Sequence, residues 1–188
     1  NILDNPDMEQ TVREDFIKDI KREITNIQFL VANLLKLSKL DANSVQFINK
    51  EVKVEEIIQN VVKNVSSICD LKNIKINITG DSKAKIVCDE RWQIEAITNI
   101  VKNAAEHSKT DSEIDISYEQ NKVYTGVGIN SKDLKHIFQR FYKSKNSAKD
   151  SIGIGLPLAK SIIERNNGYI EVTSEEGKGT TFTIKYLK

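Results

Sequence analysis

Residues 153–186 run GIGLPLAKSIIERNNGYIEVTSEEGKGTTFTIKY. Two glycines open a helix over 155–166, and two alternating stretches follow, 169–173 and 180–186, joined across Glu175-Glu176-Gly177-Lys178-Gly179 as a hairpin. A helix leading straight into paired strands sets the pattern for everything upstream to Val45. The spacing predicts strands at 51–54, 74–78, 85–88 and 114–118, and helices at 54–69, 92–108 and 134–142. Helices segregated from a mixed sheet make an α/β fold, a two-layer sandwich with the helices on one face.

Ahead of that sandwich, residues 8–41 form one long bundle helix. Ile17, Ile20, Ile24, Ile27, Val31 and Leu34 recur in steps of three and four, as in a coiled coil. Phe16, Leu30, Leu35 and Leu37 widen the seam, so the helix needs more than one neighbour. It must pair with another chain or lie against its own globular domain. The composition excludes several classes. With 28 Lys and Arg against 27 Asp and Glu, the net charge of +1 gives no global case for nucleic acid. Cys69 and Cys88 have no metal-ligand spacing and form no disulfide framework, which favours a reducing, cytoplasmic setting. No stretch reaches the ~20 apolar residues of a membrane span, and no signal peptide is expected within these residues. The chain begins with Asn1 rather than Met, as a piece of something longer would.

Four features carry chemistry. Asn99 and Asn103 lie four apart on one helix face. They are either a solvated polar stripe or an oxygen donor set suited to Mg²⁺ beside phosphates. Gly-x-Gly turns occur at 126–128, 153–155 and 177–179. The last is explained by a hairpin, but the turn at 153 opens a helix, where free N–H groups and the dipole favour a phosphate. Residues 137–143 alternate aromatics with cations: Phe138 and Phe141 are expected in the core, leaving Arg140 and Lys143 as functional candidates. Ser144 to Ser151, polar and small, suits either a mobile lid or a plain surface loop.

In that order, these motifs closely resemble the ATP-binding catalytic domain of bacterial sensor histidine kinases, a branch of the histidine kinase/gyrase/chaperone superfamily. The helix ending Leu34-Leu-Lys-Leu-Ser-Lys-Leu-Asp41 resembles the second helix of that family's dimerisation bundle. The resemblance implies a bundle helix over 1–43 and a catalytic domain over 44–188. It implies ATP and Mg²⁺ as cofactors, with Asn103 holding the metal and Asn99 contacting phosphates or stabilising the site. Ser151, Gly153, Gly155 and Leu156 would form the phosphate turn, Gly126 and Gly128 the adenine-side wall, and Thr181 would lie near the adenine. Lys143 would meet the γ-phosphate. The implied partners are a second copy through the bundle helix and a response-regulator receiver domain, with a membrane reached only through an upstream region.

Three positions depart from the family. Its phosphoacceptor histidine precedes an acidic residue, whereas His107 and His136 stand in no such pair. The chain is therefore expected to hold the kinase without its acceptor and to fail in autophosphorylation. Glu106 stands where a basic residue is common, and a carboxylate there would repel phosphates unless it points away or binds Mg²⁺ itself. Tyr124 stands at the place of the adenine-binding Asp. The strand before Gly126 is also short by several residues, either through a deletion or because residues are missing between Thr125 and Gly126. The second is favoured, since a lost central strand would leave ladder groups unpaired. A nucleotide-free module for dimerisation or response-regulator docking is the competing reading. A gyrase- or chaperone-type ATPase is disfavoured by the bundle helix and the Phe-rich segment.

Overall fold

Gln10–Asp41 forms α1, 32 residues long, in a computed structural model that describes residues 10–119, 122–126, 134–143, 152–175 and 179–186, with 122–126 as backbone. Only its C-terminal third is buried. Leu37 and Leu40 enter the core and Leu30 and Leu34 pack on its edge, while Ile17, Ile20, Ile24, Ile27 and Val31 are exposed. The C-terminal third thus lies against the helix's own globular domain, one of the two alternatives for a lone amphipathic helix. The helix ends on Asn43, whose positive φ of 53° lets its N–H donate to Leu40 O. This left-handed exit is one that asparagine tolerates.

The chain then builds β1 (Lys50–Lys53), α2 (Val54–Leu71), β2 (Lys75–Gly80), β3 (Lys85–Cys88) and α3 (Glu90–His107). Further on come β4 (Glu113–Glu119), β5 (Lys122–Gly126), α4 (Gly155–Arg165), β6 (Gly168–Glu175) and β7 (Gly179–Tyr186). β1 and β3 pair as a separate antiparallel ribbon. The main sheet runs β2-β4-β5-β7-β6, parallel between β2 and β4 and antiparallel elsewhere. Ile114, Ile116 and Tyr118 of β4, with Thr180, Phe182, Ile184 and Tyr186 of β7, form its buried rows. Against them lie the apolar faces of α2 (Ile57, Ile58, Val61, Val65), α3 (Ile97, Ile100, Val101, Ala104) and α4 (Leu158, Ile162, Ile163). Period 3.6 over period 2 is the sandwich expected from the sequence.

β5 is short: it covers only Ile116–Glu119 of β4, and its Thr125 and Gly126 pair with Phe182 and Thr181 of β7. Residues 113–115 of β4 pair on the β2 side. The expectation at 134–142 is corrected: these residues form turns and not a helix. Gln139 N–H donates to His136 O and Tyr142 N–H to Gln139 O, both three-residue closures, and Phe141 takes φ 64°. Phe138 packs on the core edge, but Phe141 is 58% exposed and is no core residue.

Lys72 follows α2 and serves α3. Its ammonium donates to the carbonyls of Ala105, Glu106 and Ser108 at 2.9, 2.6 and 3.1 Å. It thus satisfies acceptors that a helix end leaves open and places positive charge at the negative pole. Lys72→Met should cost about 2 kcal/mol, on the scale of hydrogen bonds to charged groups, as measured by urea unfolding; an unchanged midpoint would remove this role.

Burial also sets the alkaline limit. The Cys88 thiol is pushed from 9.0 up to about 12 by burial, with Asp89 adding to the shift, and burial raises the Tyr186 phenol well above its usual value. Unfolding exposes both acids, so above their ordinary values the unfolded chain gives up protons that the folded chain keeps. Stability is therefore full below roughly pH 8.5 and declines as pH rises toward the raised values. Melting temperature should fall between pH 8.5 and 11, and less steeply in Cys88→Ala; parallel curves for the two proteins would rule the thiol out.

Candidate functional site

Asn99 and the Gly153–Gly155 turn, both singled out in the sequence, meet at the start of α4. Its N-cap position is Ile154, which has no side chain to cap the helix, and no acidic residue stands in the first turn. Leu158 N–H closes the first helical bond onto Ile154 O. Pro157 has no N–H, so Ile154, Gly155 and Leu156 hold the donors that the first turn leaves without an intrahelical acceptor. Asn99 on α3 stands directly over it. Its Nδ2 donates back to Glu95 O at 3.0 Å, which leaves Oδ1 toward Gly155, where a Cβ would sit 3.1 Å away. The glycine is what allows the amide and the helix start to approach so closely.

Gly153 is constrained further. It has φ 72°, and a Cβ would collide with the Tyr142 carbonyl oxygen. Phe141 N–H donates to Gly153 O at 2.9 Å, tying the 134–143 turns to the helix entry.

Asn103 lies one helical turn beyond Asn99 and is partly exposed. Glu106 lies 3.7 Å from the Lys102 ammonium, a pairing that partly offsets the repulsion expected of it. Lys102 also stands over the Phe29 ring of α1 at 4.8 Å, and Lys36 of α1 pairs with Glu95 at 2.7 Å. α1 therefore borders the helix that carries both asparagines.

Other positions are not gathered at this point. Gly126 ends β5 opposite Thr181. Thr181 is exposed in the row facing away from the helices, whereas its neighbour Thr180 is buried and donates to Ser174 Oγ at 2.8 Å. The alternation of β7 puts the two threonines on opposite faces of the sheet. Tyr124 is registered with Ser117 and Thr183, and Thr125 with the buried Ile116 and Phe182. By backbone register, Thr125 and not Tyr124 belongs to the helix-facing row. Lys143 is exposed at the end of the described turns. Gly128, Ser151 and the expected lid over 144–151 lie outside the described residues.

A two-layer sandwich with a glycine-opened, uncapped helix facing an asparagine-bearing helix defines a class, and the comparisons agree with it. The chain belongs to the histidine kinase-, DNA gyrase B- and HSP90-like ATPase family, whose model matches residues 88–188. Within that family it is an ATP-binding domain of the sensor histidine kinase type. It is 31% identical over 183 residues to the heme sensor protein HssS of Staphylococcus saprophyticus, covering 94% of this chain and 39% of that protein. It is 30% identical over 186 residues to the sensor histidine kinase YxdK of Bacillus subtilis, covering 93% and 57%. The chain thus spans between about two-fifths and three-fifths of these relatives' lengths. The fold matches Acinetobacter baumannii histidine kinase AdeS with TM-score 0.74 at 20% identity, over 98% of this chain and 88% of that one. It also matches histidine kinase ThkA in its complex with the response regulator TrrA, with TM-score 0.66 at 20% identity, over 97% and 52%.

Gly153→Ala should cost about 1–2 kcal/mol from the left-handed backbone alone, and more from the collision with Tyr142. Gly155→Ala should be milder, since only the Asn99 amide has to shift. Paired denaturation curves check the order; equal costs would show that Gly153 is not held by the 141–142 backbone.

Proposed function

We propose that residues 44–188 bind Mg-ATP and transfer its γ-phosphoryl group to a histidine of a dimerisation domain, for relay to a response-regulator receiver domain. The observation that carries this is the uncapped start of α4, opened by Gly153 and Gly155 and faced by Asn99 Oδ1. Unpaired N–H groups and the positive helix pole suit phosphate oxygens. A carboxamide oxygen at Asn103 suits Mg²⁺. Among the described residues no group of three or more His, Cys, Asp or Glu could hold a metal, so phosphate oxygens would complete the coordination. In the transfer, a histidine nitrogen bonds to the γ-phosphorus as the bond to the bridging oxygen breaks and ADP leaves. This chain's contribution is positioning and charge neutralisation, with Lys143 as the cation for the γ-phosphate.

Residues 1–43 supply the second helix of the dimerisation bundle in this reading. The exposed row Ile17, Ile20, Ile24, Ile27 and Val31 supports pairing with further helices. His107, in the last turn of α3, and His136, whose ring lies 5.4 Å from that of Tyr142, are not the acceptor; that histidine comes from another segment or chain. Among the described residues no helix is long and apolar enough to cross a membrane. The response regulator bound to the similarly folded ThkA supports a receiver domain as partner.

One sequence feature favours a second reading, a nucleotide-free docking module: Tyr124, two residues before Gly126, stands where the resemblance implies an adenine-binding Asp, and by backbone register it belongs to the row facing away from the helices. Calorimetric titration with a non-hydrolysable ATP analogue separates the two. Mg²⁺-dependent binding is expected, weakened at least tenfold in Asn103→Ala, together with labelling of an added histidine-bearing helical domain. No heat at millimolar ligand from folded protein would leave the docking module standing instead.

A further inference from the structure

We propose that the ion pair between Asp41 and Arg140 couples the docking of α1 to the phosphate-facing start of α4, so that α1 sets nucleotide affinity. The inference rests on the nucleotide-binding reading above and adds a positioning residue, Arg140, that acts through the backbone following it. Asp41 is the last residue of α1, where a carboxylate meets the negative pole of its own helix. Arg140 offsets that misplacement: Nη2 lies 2.8 Å from both carboxylate oxygens. The pair is about half exposed, weak enough to open and sensitive to salt. It therefore suits an adjustable latch better than a permanent staple. Arg165 at the end of α4 makes a second tie, to Asn43 just past α1.

The next residue in the chain transmits the latch. Phe141 is a large aromatic in left-handed backbone, 58% exposed, a costly choice that no burial repays. Its conformation places its N–H on Gly153 O at 2.9 Å. Because a peptide is planar and trans, fixing the Gly153 carbonyl also fixes the Ile154 N–H, which points the opposite way within that plane. The N–H belongs to the donor set at the start of α4. Gly153 also touches the backbone of Tyr142 too closely for a Cβ, so the turns and the helix entry move together. Asp41, Arg140, Phe141, Gly153 and Ile154 thus form one continuous mechanical link. Linkage is reciprocal, so nucleotide must in turn favour the docked α1.

The test uses the full 188-residue chain, with Asp41→Asn, Arg140→Gln, both together, and the reversed pair Asp41→Arg with Arg140→Asp. Each single change should weaken Mg²⁺-ATP-analogue binding roughly fivefold, the lower range of such couplings. The double change should add little, and the reversed pair should recover most of the loss. In nucleotide-free protein, hydrogen exchange at the Phe141 amide should rise in the single variants and recover in the reversed pair, with β6 and β7 amides unchanged. Unaltered exchange at Phe141 overturns the proposal, as does raised exchange with unaltered affinity. Singles that weaken without recovery in the reversed pair reject the ion pair as the link. If the unaltered chain binds no nucleotide, the functional reading fails and the exchange arm alone judges the link.

Discussion

A chain of buried amides holds the two site-bearing helices at their far ends. Gln93 at the start of α3 donates to the Tyr186 hydroxyl at the end of β7 and accepts from Asn166 Nδ2, just past α4, at 3.3 Å. Asn166 Oδ1 accepts from Asp89 N–H at 3.2 Å, and the Asp89 carboxylate accepts from Ile48 N–H and Trp92 N–H. Gln93 is fully buried, and Asn166 and Asp89 nearly so. Groups of this kind are expensive to bury unless every partner is in place. Side chains of the same volume without polar atoms would fill the space but would not fix how α3 and α4 lie. The approach of Asn99 to Gly155 depends on that relationship.

Much of this was legible in the sequence, because burial period decides it. Ile114, Ile116 and Tyr118 alternate, and Ile57, Ile58, Val61 and Val65 repeat at helical spacing; the structure uses both patterns as written. The 134–142 segment shows where periodicity fails. Leu134, Ile137, Phe138 and Phe141 have helical spacing, yet a contact 12 residues away in sequence, from Phe141 N–H to Gly153 O, redirects the chain. Local pattern cannot register a tertiary acceptor. Thr180 and Thr181 show what a motif leaves open: neighbours in a strand lie on opposite faces of the sheet, so spacing alone does not say which one faces the helices. Gln93 and Asn166 left no sequence signal, since each taken alone resembles an ordinary surface residue; only Tyr186, in phase with Phe182 and Ile184, was marked for burial.

The asparagine pair was found by spacing, but its surroundings were not. Glu106 in isolation argues against phosphate, yet Lys102 stands beside it, and Lys72 from α2 caps the same end of the helix. Charge at this end of α3 is thus shared among Glu106, Lys102 and Lys72, and a single position does not describe it.

α1 has one more consequence, mechanical in kind. At 1.5 Å per residue it is roughly 48 Å long, and its hold on the core lies between Leu30 and Leu40. The remaining 20 residues project as a lever of about 30 Å. A tilt of about 10° at the anchored end would sweep the tip by roughly 5 Å, close to one helical turn. Displacements at the two ends are therefore unequal: a large, soft movement far from the domain corresponds to a small, stiff one beside Asp41. A helix gripped at one end in this way works as a reduction gear.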